Sequence, residues 1–339
     1  MPSERDEMMV DLPLPLQDAI RSTKATFDVL ELLGKGSFGA VYRVRRHSDQ
    51  KELALKCESA RCKKQILKHE VRVLIAAMKV NSPHMLQFED RGKVRDRFVY
   101  IIMRLVGKNL WDLRAEQADR KFSVSTAMKA GEQTLAGIRD LHRAGYLHRD
   151  IKPPNFAIGR EADNNLHTVY LLDFGLCRHF RTDVKDLRMP RERAAFRGTT
   201  RYASLGSLEL KEQSRKDDVE AWWYMLVEFM IGNLPWKHCK GSERDAVMNF
   251  KVQLRQEKNL AKVLVNTPEK QLREIFYYVD TLEYASIPDY DYIYKQLQVA
   301  CQSQNISELE PLCWDPLNPY KGPKWVTGLD FNPRGEAEP

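Results

Sequence analysis

No two of the six cysteines, Cys57, Cys62, Cys177, Cys239, Cys301 and Cys313, stand two residues apart. Neither a zinc knuckle nor a thioredoxin-like redox pair can be built on that spacing. Few, scattered cysteines in a long chain point instead to a reducing compartment. An apolar run long enough to cross a bilayer is also missing. The most apolar helical stretch, AWWYMLVEFMIG, is short, is interrupted by Glu228 and reads as a buried core helix. The N-terminus, MPSERDEMMVDLPLPLQDAI, has early acids and no apolar centre, so no secretory leader is expected. Basic residues exceed acids by 54 to 47, a net charge of +7. No zinc-finger spacing, basic zipper or RNA-binding aromatic motif organises them, so nucleic acid is not an expected partner. The excess favours acidic or phosphorylated partners through long-range steering. These absences lead to the expectation of a soluble, monomeric protein of the cytoplasm or nucleus, with no membrane partner.

At 339 residues, with 43% hydrophobic and 30% charged side chains, the chain can bury a full core and is long enough for two lobes. Residues 1–26 are polar and proline-bearing and are expected to be flexible. From Phe27, FDVLELLG, AVYRVRR, ELALKCE and RFVYIIMRLVG carry the β-branched and aromatic patterns of strands. CKKQILKHEVRVLIAAM lies among them with helical spacing. Farther on the chain turns helical. STAMKAGEQTLAGIRDLHRAG opens on Ser/Thr and ends on Gly145, a good helix stop, and residues 217–300 are largely helical in pattern. The fold class is therefore α+β, a small strand-rich part followed by a larger helical part. The tail beyond about residue 305 looks irregular, yet Trp314 and Trp325 suit docking better than disorder.

Two groups of residues carry chemistry. LGKGSFGAV places Gly34, Gly36 and Gly39 in a G-x-G-x-x-G pattern, in which backbone amides can approach phosphate oxygens unhindered by a Cβ. A strand follows the last glycine where a dinucleotide-binding turn would need a helix. That leaves a glycine lid over a nucleotide, or a hairpin with no ligand. Lys56 in LALK and Glu70 on the following helix could grip phosphates as a strand–helix pair, or be ordinary surface charges. The second group is YLHRDIKPPNFAIG, with Asp150, Lys152 and Asn155, followed by Asp173-Phe174-Gly175. Two loop residues offering oxygens can hold Mg²⁺, and a further carboxylate can orient a hydroxyl.

In this order and spacing the set resembles the eukaryotic protein kinases, over roughly residues 27–300. FRGTTRYAS and SRKDDVEAWWYMLVEFMIGNLPW are similar to the casein kinase 1 group, and GKNLWDLR and LHRDIKPPNFAIGR look most like its tau-tubulin kinases. The resemblance implies a bilobal kinase fold: a small antiparallel sheet with one main helix at about 27–105, a helical lobe at about 106–300, and an extension at 301–339. It implies transfer of the γ-phosphate of ATP to Ser/Thr hydroxyls of protein substrates, with Mg²⁺ as cofactor; the alternative is a pseudokinase scaffold. Asp150 would orient the substrate hydroxyl, Lys152 would neutralise the transferring phosphate, and Thr199 would brace both. Asn155 and Asp173 would ligate Mg²⁺. Lys56, paired with Glu70, would hold the ATP phosphates under the loop Gly34, Lys35, Gly36, Ser37, Phe38, Gly39 and Ala40. Leu33 and Val41 would sandwich the adenine, Ala54 would line its pocket, Met103 matches the gatekeeper, and the Arg104 and Val106 backbones would meet the adenine edge. Arg201, with Arg149, would form an anion site favouring acidic or pre-phosphorylated substrates. His148 is expected to be a buried structural residue of the loop and Cys177 a small buried one. The sequence departs from the group at RYASLGS, where Leu205 and Gly206 replace Ile-Asn, which puts peptide preference in question.

Overall fold

The structure, a computed structural model, describes residues 10–36, 39–181 and 187–329. Its described residues fall into two units. One draws on Met1–Asn81, Met85–Gly107 and Asp173–Gly175, the other on Ser82–His84, Lys108–Leu172 and Leu176–Pro339.

The first unit is built on a six-stranded sheet: β1 (Ala19–Arg21), β2 (Thr26–Lys35), β3 (Gly39–Arg46), β4 (Glu52–Ser59), β5 (Phe88–Val94) and β6 (Phe98–Arg104). The spatial order is β1-β2-β3-β4-β6-β5, and every pair is antiparallel. Side chains alternate between faces along a strand, and β4 shows the consequence. Leu53, Leu55 and Cys57 enter a buried cluster with Phe27, Val44 and Ile102, which sends Ala54 and Lys56 to the opposite face. Helix α1 (Ile66–Met78) buries Leu67, Val71 and Leu74 along one stripe.

Two strands were not foreseen. β5 reads FEDRGKV, too charged to signal a strand by itself, and is recruited by pairing with the apolar β6. β1 lies inside the segment expected to be flexible. Within residues 10–26 that expectation is corrected: Leu12 and Ile20 are buried in the sheet's core cluster, and Asp11 accepts from Ser59 Oγ at 2.8 Å. Residues 1–9 lie outside the described part.

The second unit contains α2 (Leu110–Ala115), α3 (Val124–Arg143), α4 (Leu205–Leu208), α5 (Arg215–Ile231), α6 (Arg244–Leu254), α7 (Glu257–Val263), α8 (Glu269–Thr281) and α9 (Tyr290–Ser303). Two short antiparallel pairs, β7 (Tyr146–Leu147) with β10 (Arg178–His179) and β8 (Phe156–Ile158) with β9 (Val169–Leu171), flank the loop at Asp150. α3 starts as its sequence suggests: the Ser123 side chain accepts the Thr126 N–H, and Gly145 follows the helix at φ +87°. α5 is the AWWYMLVEFMI helix and is buried on nearly every side; at its start the Asp217 side chain accepts the Ser214 N–H at 2.7 Å. Gly131 lets α3 approach it, since a Cβ there would sit 2.7 Å from Leu226 Cδ1. Among the described residues no helix is long and apolar enough to cross a membrane.

The described extension packs on the second unit. Trp314 donates to the Leu166 carbonyl at 3.1 Å, and Trp325 stacks on Tyr294 with ring centroids 4.8 Å apart. The Arg139 guanidinium lies 4.1 Å from the Trp325 ring centre.

Candidate active site

In the first unit, β4 and α1 bring Lys56 and Glu70 together. The Lys56 Nζ lies 2.7 Å from both Glu70 carboxylate oxygens and 3.3 Å from Asp173 Oδ1. Burial disfavours the ammonium, but the two carboxylates outweigh it and hold the Lys56 pKa above lysine's usual value. Glu70 is pushed up by the same burial, which Lys56 only partly offsets. Gly175 is tight against this pair: a Cβ there would stand 3.1 Å from Glu70 Oε1.

Strand register adds neighbours on the Lys56 face. Val41 is the cross-strand partner of Lys56, and Met103 that of Ala54, so Val41, Ala54, Lys56 and Met103 share one face of the sheet. The glycines divide by role. The β2–β3 hairpin is closed by Gly36 N–H donating to Gly39 O at 2.8 Å. A Cβ on Gly39 would lie 2.0 Å from the Cys57 carbonyl oxygen, whereas one on Gly34 would meet nothing within 4 Å. Gly39 is thus required by the sheet itself, and Gly34 leaves open space where a ligand can approach. Leu33 and Lys35 are exposed, and Ala40 is buried in the core cluster. The Arg104 N–H donates to the Gln87 carbonyl at 3.0 Å and its guanidinium to the Gln87 side chain, so Arg104 is turned back toward the residue that precedes β5. Val106 is half-buried on the following segment.

In the second unit, the loop between β7 and β8 gathers Asp150, Lys152 and Asn155. The Asp150 carboxylate accepts from Thr199 Oγ1 at 2.7 Å and is paired with Lys152 Nζ at 2.7 Å. Lys152 also donates to Thr199 Oγ1 at 3.0 Å, which closes a three-membered network. Asn155 Nδ2 donates to the Asp150 carbonyl at 2.8 Å and so leaves Oδ1 as the amide's acceptor. Asp150 is 8% exposed, enough for a small group to reach it. His148 is fully buried; its Nδ1 accepts from the Asp150 N–H and its Nε2 donates to the Leu172 carbonyl. Cys177 is buried as well.

A protein kinase domain family model matches residues 27–298. The chain belongs to the protein kinase family. Its curated relatives include a "Probable serine/threonine-protein kinase" of Dictyostelium discoideum, 34% identical over 86% of this chain and 57% of that one. The serine/threonine-protein kinase spe-6 of Caenorhabditis elegans is 34% identical over 87% and 76%. Casein kinase I homolog 1 of Schizosaccharomyces pombe is 31% identical over 86% and 64%. The likeness places the chain in the casein kinase 1 group of the family. It spans less than two thirds of the length of the Dictyostelium and fission-yeast proteins.

Several residues that hold the Asp150 loop had no role assigned from the sequence. Asp218, the fifth residue of the SRKDDVE stretch, accepts the His148 N–H at 2.7 Å and the Arg149 N–H at 2.8 Å. It also pairs with His142 Nε2 at 2.7 Å, and His142 Nδ1 in turn meets the Tyr290 hydroxyl. Burial opposes its charge, yet these donors hold its pKa below the usual value. Arg149 adopts φ +66°, a strained backbone for a non-glycine residue, and the two Asp218 bonds keep it there. Gly198 faces the same turn, since a Cβ there would lie 2.5 Å from the Arg149 carbonyl.

Arg201 is committed elsewhere. Its Nε stands 3.0 Å from Glu228 Oε1, and that carboxylate, wholly buried, also receives Tyr202 and lies near Arg114. Glu228, the residue that interrupts the apolar run of α5, is thus the anchor of the RYAS segment. Lys251 supports the same segment from below: fully buried, it donates to the Arg201 and Ala203 carbonyls, and burial pulls its pKa down to about 7. Arg149 Nε donates to the Leu176 carbonyl at 2.8 Å. Ser37 and Phe38 of the glycine loop, and Thr182, a candidate for regulatory phosphorylation, lie outside the described residues.

Proposed function

We propose that this kinase-family chain transfers the γ-phosphate of ATP to Ser/Thr hydroxyls of protein substrates. The observation that carries the reading is the Asp150–Thr199–Lys152 network. A carboxylate beside a fixed ammonium, both braced by one hydroxyl, can orient an attacking alcohol, take its proton and neutralise the moving phosphoryl group. Positioning and charge do the work, so no covalent enzyme intermediate is needed. Lys56 would grip the ATP phosphates, steadied by Glu70. The sheet face of Val41, Ala54 and Met103, with Leu33, would take the adenine, whose polar edge would meet the backbone at Arg104 and Val106.

The donor set suits Mg²⁺, a hard cation that prefers oxygen. Asn155 offers an amide oxygen, and Asp173 a carboxylate whose side chain is half exposed. Bound there, the ion would neutralise phosphate charge. A preference for acidic or pre-phosphorylated sites rests on the +7 net charge. The Glu228 pairing leaves Arg201 a weak basis for it, and equal turnover of a primed peptide and its unprimed twin would remove it.

The test is radiolabelled ATP with a mixed protein substrate, wild type against Asp150→Asn. Incorporation is expected to fall by about 10³-fold while ATP binding persists. Equal labelling by both proteins would sink the catalytic assignment; no labelling by wild type, with ATP still bound, would make the chain a nucleotide-binding scaffold.

A further inference from the structure

A tryptophan that packs inside a protein needs an acceptor for its indole N–H. Trp222, Trp223, Trp236, Trp314 and Trp325 each have one, a carbonyl or carboxylate of the chain. Trp111, on α2, is the exception. Its residue is half-buried, and its N–H has no acceptor among the described residues and is not sealed from solvent. The surroundings tie this ring to the Asp150 site. The Lys108 carbonyl accepts the Ile158 N–H at 3.0 Å, and Asn109 bridges to Ala157. α2 is thereby held beside β8 and packs on the turn Pro153–Asn155 that follows Lys152. The Trp111 ring centre lies 5.9 Å from the Arg201 guanidinium and 4.9 Å from that of Arg114. Arg201 stands two residues beyond Thr199, whose hydroxyl meets the Asp150 carboxylate. A peptide whose hydroxyl lies at Asp150 therefore has this ring within reach of a few extended residues.

The charges decide what the ring can take. Two guanidiniums already lie close to it, so a further cation would be repelled. Arg201 and Arg114 face the buried Glu228 carboxylate at 3.0 and 3.5 Å, so an acidic side chain would have to compete with a fixed partner. What remains is a neutral group that offers an apolar face to the ring and a carbonyl to the N–H. Proline fits both needs. Its pyrrolidine ring stacks on an indole, and its fixed φ pre-orders the chain so that a neighbouring carbonyl stays free to accept. We propose that Trp111 is a specificity-determining residue of the substrate site, stacking on a proline of the substrate peptide and donating its indole N–H to a peptide carbonyl beside it. Its place along a substrate rests on the phosphoryl-transfer role proposed for Asp150; the preference for proline can be read without turnover.

The experiment uses the full chain with a non-hydrolysable ATP analogue and fluorescein-labelled peptides, read by anisotropy. Each peptide has one serine, with proline, alanine or glutamate placed in turn at each position within about six residues of it. At one position proline is expected to bind about tenfold more tightly than alanine or glutamate. Trp111→Ala should erase that difference while the thermal transition and ATP binding are kept. Trp111→Phe, which keeps an apolar ring and removes the donor, should retain part of it. With radiolabelled ATP, the same proline should lower the wild-type KM and leave kcat alone. A proline preference that is lost in Trp111→Ala, with no labelling by wild type, sinks the phosphoryl-transfer reading and leaves the proline contact standing. Equal binding of proline and alanine at every position overturns the proposal. So does a proline preference that survives Trp111→Ala, or glutamate binding as well as proline at the preferred position. If Trp111→Ala does not fold, Trp111→Phe decides: a reduced proline preference supports the contact, and an unchanged one overturns it.

Discussion

The two units hold their chemical groups in different ways. In the first, Lys56 on a strand faces Glu70 on a helix, and one ion pair with help from Asp173 sets the geometry. In the second, Asp150 sits in a mesh: Thr199, Lys152 and Asn155 hold its side chain or carbonyl, and Asp218 holds the backbone before it. A mesh with several redundant bonds fixes one arrangement. A single pair across two elements fixes only as much as the helix allows. The difference leaves the Asp150 carboxylate pre-organised while the Lys56–Glu70 pair stays adjustable through α1.

The sharpest way to break the comparison is at the single pair. If Lys56 holds the ATP phosphates as proposed, Lys56→Met should reduce kcat/KM by about 10³-fold while the thermal transition changes little. Retained activity would refute the clamp. Next is the anchor of the mesh. Asp218→Asn should cost roughly 3 kcal/mol of stability by breaking a buried charged pair, and should lower kcat more than it raises KM. If stability fell while kcat held, Asp218 would be only a packing residue. Third, Gly39→Ala should destabilise the first unit by about 1–3 kcal/mol through the Cys57 carbonyl, whereas Gly34→Ala should leave stability alone and weaken ATP binding. Denaturant midpoints and nucleotide titrations on the pair read this difference.

A pH dependence sharpens the comparison further. The folded pKa of Lys251, about 7, lies below its unfolded value near 10.4, so between these the unfolded chain binds more protons. Wild type should therefore gain stability relative to Lys251→Met as pH rises from about 7 to about 10. A difference that is flat across that window rules out the depressed amine.

Legibility followed locality. The strands β2, β3, β4 and β6, the helix α1 and the helix α3 carry their patterns in consecutive residues, and each forms where its pattern lies. β1 and β5 do not, because short or charged segments become strands only when a neighbour offers unpaired amides and carbonyls. The same holds for the site. Lys56, Asp150, Lys152 and Asn155 stand in compact motifs, but Asp218, Glu228 and Lys251 look like unremarkable charges on helices. Glu228 in particular counted only as an interruption of an apolar run. Their roles come from burial, since a charge inside a protein must find partners, and those partners are distant in sequence.

By itself the sequence determined the α+β order of elements, the glycine hairpin and the short motifs whose side chains must come from adjacent residues. Only tertiary structure decided that Gly39 serves the sheet and Gly34 the open side, that Arg201 is bound to Glu228, and that Asp218 steadies the strained turn at Arg149. The reason is physical. Backbone preference and side-chain periodicity act over a few residues, whereas desolvation and strand register act between segments that meet only once the chain has folded.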